Sequence, residues 1–224
     1  MSQIDAAALS NATILIKAGM FEQATEALDV LVADYPEATQ PHLLRAMMAQ
    51  AQSDNQGMAT ALEAVLKIEP SNQNAAIALA GLIEHISIGE AGLNQLKESL
   101  VSLLGIDHRA LIGLAAVYLS MGQAAMLPGH IEGIPTEVLS AVDYRGALVA
   151  IAQRLDTADQ PETALELLLN AVDRLPDANG LEGVIGAMAV RSSQLDTAEH
   201  WLDLAIAKDG SDHGVVFARA TIMV

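Results

Sequence analysis

The chemistry open to this chain has to come from its histidines, carboxylates and glycine-rich turns, because its 224 residues include no cysteine. That absence excludes disulfides, thiol catalysis and cysteine-based zinc sites. Six histidines occur, His42, His85, His108, His130, His200 and His213, and none stands four residues from another, the spacing that turns two metal ligands onto one helical face. His130 and Glu132 share a breaker-rich stretch and could reach a metal or a substrate; a solvated loop histidine is the plainer expectation. Glu84 beside His85 is an equally thin signal. Glu162 and Glu166 are four apart, but paired carboxylates do acid–base work only when buried and converging, and these read as solvating. Gly180, Gly183 and Gly186 follow a proline-ended helix and not a strand, so they are expected to permit close helix packing. No phosphate loop, dinucleotide fingerprint or nucleophile elbow is present. Met47, Met48 and Met58 are expected to fill core in preference to forming an adaptable surface, and Trp201 to pack between helices. The reading is a non-enzyme with no catalytic residue, no metal and no cofactor.

The elements behind these residues are helices. Hydrophobic residues make up 52% of the chain and aromatics 3%, so the core is built from Ala, Leu, Ile and Val, a composition that suits closely packed helices better than a sheet. The formal net charge is −17, with 28 acidic against 11 basic residues. That balance disfavours nucleic acid and anionic membrane surfaces, and leaves a solvating coat or a basic partner. No secretory signal is visible at Met1–Asp5, and a cytoplasmic location is the default. The uncharged run 110–129 is long enough to span a bilayer, but Ser120, Gly122, Gln123 and Pro128 make it a buried helix plus a loop.

The periodicity is 34 residues. Pro36 and Pro70 are 34 apart; so, in series, are Ala24, Met58 and Gly92, then Leu28, Leu62 and Leu96, then Leu31, Val65 and Ser99. In the second half Ala164 and Ala198, Leu168 and Leu202, and Ala171 and Ala205 keep the same spacing. Leu96 and Leu168 are 72 apart, four beyond two repeats, so an insertion lies between, placed at Leu127–Pro135 by its breakers. The expected division is therefore 1–126, an irregular loop at 127–135, and 136–224. Each unit reads as two helices. The first runs from Asp5 to Ala18, Gly19 turns the chain, and the second runs from Phe21 to Asp34. Ser53, Asp54 and Asn55 form the next turn and supply helix caps; Pro161 suits a first helical turn. Twelve helices in about six pairs follow, with a last segment from Ser211 to Val224.

A 34-residue helix–turn–helix unit resembles the tetratricopeptide repeat family. The resemblance rests on Gly19-Met20-Phe21-Glu22-Gln23-Ala24 with Leu28, Leu31 and Pro36, on Pro161 through Ala164, Leu168, Ala171 and Pro176, and on Leu195 through Ala198, Leu202 and Ala205. Ala8 and Leu15 stand where the family carries bulkier residues, Gly92 and Ser99 stand where Ala is usual, and the fourth unit has no recognisable second helix. The resemblance implies an all-α, right-handed α-solenoid of about six helix pairs with an irregular fourth unit and a C-terminal helix. It also implies that the first helix of each pair lines a concave face. That face would present Leu9, Thr13, Ile16, Leu43, Met47, Gln50, Ile77, Gly81, Glu84, Ile112 and Ala116, a near-neutral groove suited to an amphipathic helix or an apolar extended segment. Asn11 and Arg45 are faint echoes of the family's carboxylate clamp, which is not expected here because the lysines are missing. The acids gather on the second helices (Glu22, Glu26, Asp29 and Asp34; Glu162, Glu166 and Asp173; Asp196, Glu199 and Asp203), which favours the solvating coat.

These observations lead to a protein-interaction scaffold or chaperone-like adaptor that holds a protein or peptide segment in the groove, without nucleic acid or membrane insertion. Two alternatives stand beside it: a self-assembling module, and the interaction domain of a longer enzyme. The apolar stretch Val215–Val224 is open to three explanations: a cap, a homodimer contact through the C-terminal helix, or continuation into further chain.

Overall fold

The computed structural model describes residues 4–178, 180–209 and 213–222. Among them no strand occurs, and the helices pack in neighbouring pairs, an all-α solenoid arrangement. The chain divides into two compact units, Met1–Leu103 and Leu104–Val224.

The first unit holds three pairs: α1 (Ala6–Lys17) with α2 (Phe21–Asp34), α3 (Thr39–Ala51) with α4 (Asn55–Ile68), and α5 (Gln73–Leu82) with α6 (Glu90–Leu103). The starts are set by side-chain caps. The Asp5 carboxylate accepts from the Ala7 and Ala8 amides at 2.8 and 3.2 Å, Asp54 from Gly57 at 2.8 Å and Asn72 from Ala75 at 3.0 Å, each satisfying an orphan helix donor. The residues that carry the 34-residue spacing form the core: Ala24, Leu28, Leu31, Leu62, Val65, Leu96 and Ser99 are all buried.

One turn recurs between the helices of a pair. Gly19, Ser53, Gly122, Asp159 and Ser193 have φ between +57° and +72°. In each case the next amide reaches back five residues, Met20 to Leu15, Asp54 to Ala49, Gln123 to Tyr118, Gln160 to Leu155 and Gln194 to Ala189. This is the Schellman closure of a helix C-terminus, which needs a left-handed residue. The third pair departs from it. A short 3-10 turn, Ile83–His85, ends α5, and the Gln56 side chain both accepts from the Ser87 amide at 3.2 Å and donates to its carbonyl at 3.4 Å.

The second unit contains α7 (His108–Ser120), α8 (Thr136–Leu139), α9 (Val142–Thr157), α10 (Pro161–Val172), α11 (Glu182–Arg191), α12 (Leu195–Lys208) and α13 (His213–Thr221). The run 110–129 contributes α7, with Ala110, Leu111 and Gly113–Tyr118 buried; among the described residues no helix is long and apolar enough to cross a membrane. The stretch read as a loop at 127–135 is a packed element. Pro128–Gly133 forms a 3-10 helix against α10, with Leu127, Pro128, Ile131 and Ile134 buried. The Arg174 guanidinium donates to the Ile131 carbonyl. The unit boundary consequently lies between residues 103 and 104 and not at this segment, which is held inside the second unit. Buried Tyr144 secures α9 by donating its hydroxyl to the Leu104 carbonyl; burial, with the Asp107 charge adding to it, pushes this phenol up to about 12.

Candidate functional site

The expected groove residues fall into three environments. On α1, Ile16 is buried in the core with Ala12, Ala24, Leu28 and Leu31, and half-buried Leu9 packs against that cluster. Half-buried Thr13 donates its hydroxyl to the Leu9 carbonyl at 2.8 Å. On α3 the stripe opens to solvent: Leu43 is half-buried, Met47 is 47% exposed and Gln50 is exposed. α1 and α3 pack side by side, so these six residues lie on neighbouring helices. α5 packs on α4 and α6 and carries half-buried Ile77 and exposed Gly81, with exposed Glu84 in the turn that follows. Ile112, half-buried, and Ala116, buried, belong to α7 of the second unit. Met47, Gln50, Gly81 and Glu84 are thus the exposed members of the expected surface, while Ile16 and Ala116 serve the core.

The charged residues support this division. All ten acids assigned to α2, α10 and α12 or their ends, from Glu22 to Asp203, are exposed. Arg45, the one lysine or arginine on α3, turns to Asp29 of α2 and forms an ion pair there, which leaves no arginine or lysine on the open stripe of α3. A carboxylate clamp would need that guanidinium for its ligand.

Two recesses were not foreseen. In the first unit a hollow of about 510 Å3 lies beside the α2–α3 link, with Ile4, Tyr35 and Ile68 among its apolar walls and Asp34, Glu37 and Glu69 at its edge. In the second unit a recess of about 560 Å3 is framed by α9, α11, α12 and α13, with Gln153, Gly183, Ala187 and Ala218 among its walls. Repeat arithmetic contained the signal for the second. Shifting Gly81 by the 72-residue offset gives Gln153, and a further 34 gives Ala187. Within this recess Glu182 is 4% exposed. It accepts from the Lys208 ammonium and from the Gly180 amide at 2.9 Å. Burial pushes its carboxyl up, and hydrogen bonds from Lys208 and from the backbone of Glu182 and Gly180 outweigh that, leaving it below the usual glutamate range.

The histidine chemistry takes a different form from the expected one. His130 is half-buried and its Nε2 lies 2.6 Å from the Tyr118 hydroxyl, with ring centroids 5.5 Å apart; it is a packing residue of the 3-10 segment. Among the described residues no three His, Asp or Glu side chains gather as a metal would require. Met48 packs against the core of the first pair, whereas Met47 does not follow the expectation of core filling because it faces outward. Gly186 is the close-packing glycine anticipated for its stretch: a Cβ there would stand 2.6 Å from the Leu202 side chain.

No protein-family profile matches the chain, and the comparison with curated proteins found no match. Among solved structures, a chain of the Naa15/Naa10 complex bound to HypK-THB matches with a TM-score of 0.55 and 14% identity, over 95% of this chain and 32% of that one. PilW, a type IV pilus biogenesis factor, matches with a TM-score of 0.44 and 13% identity over 100% of both chains. The TPR domain of P58(IPK) matches at 0.37 and 12%, over 97% of this chain and 64% of that one. The chain therefore spans 32% of the length of the first of these. With the 34-residue spacing and the paired helices, the first likeness establishes the fold: this is a tetratricopeptide-like helical-repeat protein.

Proposed function

We propose that the protein is a non-catalytic interaction scaffold that holds a segment of another protein on the open faces of its first helices, with the α3 stripe as the anchor. The observation that carries this reading is Met47: an apolar, adaptable side chain, 47% exposed, between half-buried Leu43 and exposed Gln50, on a helix whose one arginine is tied to α2. An uncharged stripe with a flexible thioether at its centre suits the apolar face of a helix or an extended apolar segment. The acids on the outer helices keep the rest of the surface solvated. The solved complex that shares the fold contains partner proteins, which is consistent with such a role. A chaperone-like adaptor in the cytoplasm is the specific form proposed.

The test is affinity capture under native conditions with the wild type, with Met47→Glu, and with the Leu43→Glu, Ile77→Glu double variant, each checked for helicity. The proposal expects one or more proteins retained by the wild type and lost from the folded Met47→Glu variant. Equal retention by all folded forms contradicts it and moves the site away from these helices.

A further inference from the structure

We infer that the hollow beside the α2–α3 link is a binding site for a basic side chain, a lysine or arginine carried on an apolar segment of a partner protein. The site is distinct from the α3 stripe and does not depend on it. Its origin is the way two second helices end. Tyr35 and Glu69 stand 34 residues apart and cap α2 and α4 with φ −132° in both, so the carbonyl ends of the two helices border one hollow of about 510 Å3. A helix C-terminus carries negative partial charge and favours a cation. On α2 the last turn holds no base and ends in Asp34, an arrangement that works against the helix unless a cation arrives from outside. α4 has Lys67 in its last turn, but Lys67 is not among the residues that line the hollow.

The lining selects the kind of cation. Asp34, Glu37 and Glu69 edge the hollow, and no lysine or arginine among the described residues pairs with any of them. Glu69 accepts from a neutral donor, Asn72 Nδ2, at 2.9 Å. Among the described residues no three carboxylates gather as a metal ion would require, so these acids match charge carried on a side chain and not a chelated ion. Ile4, Tyr35 and Ile68 supply apolar wall. Half-buried Tyr35 is set in place by packing against the core of the first pair. An aromatic ring beside carboxylates accommodates both the alkyl stem and the charged head of a lysine or arginine. The volume falls within the roughly 300–1,000 Å3 of ligand sites, which leaves room for an apolar neighbour of the basic residue. The net charge of −17 draws basic segments toward the molecule, and in this hollow apolar wall and acids without a basic partner coincide.

Fluorescence anisotropy with the intact chain tests this. The probe is a labelled hexapeptide of alternating leucine and arginine, blocked at both ends, in about 0.15 M salt, where charges more than about 8 Å apart are largely screened. Saturable one-to-one binding is expected, and it should be lost when neutral citrulline replaces arginine. The Asp34→Asn, Glu37→Gln double variant should bind about five- to tenfold more weakly, whereas Glu162→Gln with Glu166→Gln, the same change of charge on α10, should bind as the wild type does. Asp34 and Glu37 are exposed, so the first pair of substitutions leaves the core untouched. Tyr35→Phe should keep the affinity. A chain lacking residues 1–3 should bind as the full chain does. A wild type without saturable binding overturns the inference, as does equal weakening by the two double variants or equal binding of the citrulline peptide. Tighter binding by the shortened chain would make the chain's own start the occupant and also overturns it.

Discussion

At the scale of single residues, the 34-residue spacing and the turn chemistry were legible, and the polar pairings were not. Ala24, Leu28, Leu31, Ala164, Leu168 and Ala171 are buried because the first and second helices of each pair meet at fixed offsets, a pattern visible without coordinates. The turns at Gly19 and Ser53 follow from the sequence, but the left-handed conformation that Ser53, Asp159 and Ser193 share with Gly19 and Gly122 does not, because their side chains oppose it. Placing an L-residue there costs roughly 1–2 kcal/mol, part of which glycine returns through its freedom in the unfolded chain. Ser53→Gly should therefore raise stability by up to about 1 kcal/mol in urea unfolding, and unchanged stability would argue against strain at that turn. Glu182 was invisible as a buried acid because its partners, Lys208 and the Gly180 amide, become neighbours only through packing. Its folded-state carboxyl is depressed, so its contribution is fully present above the ordinary glutamate value of about 4.3 and is lost as pH falls through the lower folded-state value. Glu182→Gln should be less stable than wild type at pH 7, and the difference should shrink as pH drops below about 4. A pH-independent difference would mean that packing, not charge, is the role of this side chain.

Among the elements, the regular pairs followed from the sequence and the fourth unit did not. Phe21–Asp34 has the predicted limits because Gly19 and Pro36 bracket an amphipathic run. The 127–135 stretch contains Pro128, Gly129, Gly133 and Pro135, which forbid a long helix and by themselves predict an irregular loop. Its apolar residues instead fill the place against α10: Leu127, Ile131 and Ile134 are fully buried, and the Arg174 side chain adds a second hydrogen bond to the Ile131 carbonyl, which also accepts from the Ile134 amide at 3.1 Å. Breakers decide that a segment is not a regular helix; they do not decide whether it is buried. Ile131→Ala should cost about 2–5 kcal/mol through the cavity it leaves, while Glu132→Ala, on the exposed side of the same turn, should change stability by no more than about 0.5 kcal/mol. Similar small effects from both would return the segment to the status of a loop.

For the molecule as a whole, composition proved a sound guide to surface and fold. A chain with 3% aromatics and a charge of −17 builds its core from small aliphatics and displays its acids on α2, α10 and α12. Of the residues expected to line a groove, Met47 and Gln50 on α3 are exposed and Leu43 is half-buried, whereas Ile16 on α1 is buried in the core; Gln153 and Ala187 line the recess of the second unit, and only the four-residue offset across the fourth unit relates them to Gly81 in the sequence. The central claim is that partners are held by the first helices and not by the acidic outer ones. A photo-crosslinking residue at Met47, compared with one at Val30, tests it most directly, since Val30 on α2 is 60% exposed and Met47 47%, so accessibility favours the outer position. The account predicts a partner adduct at Met47 and none at Val30; an adduct at Val30 with none at Met47 would place the partner on the outer helices and contradict it.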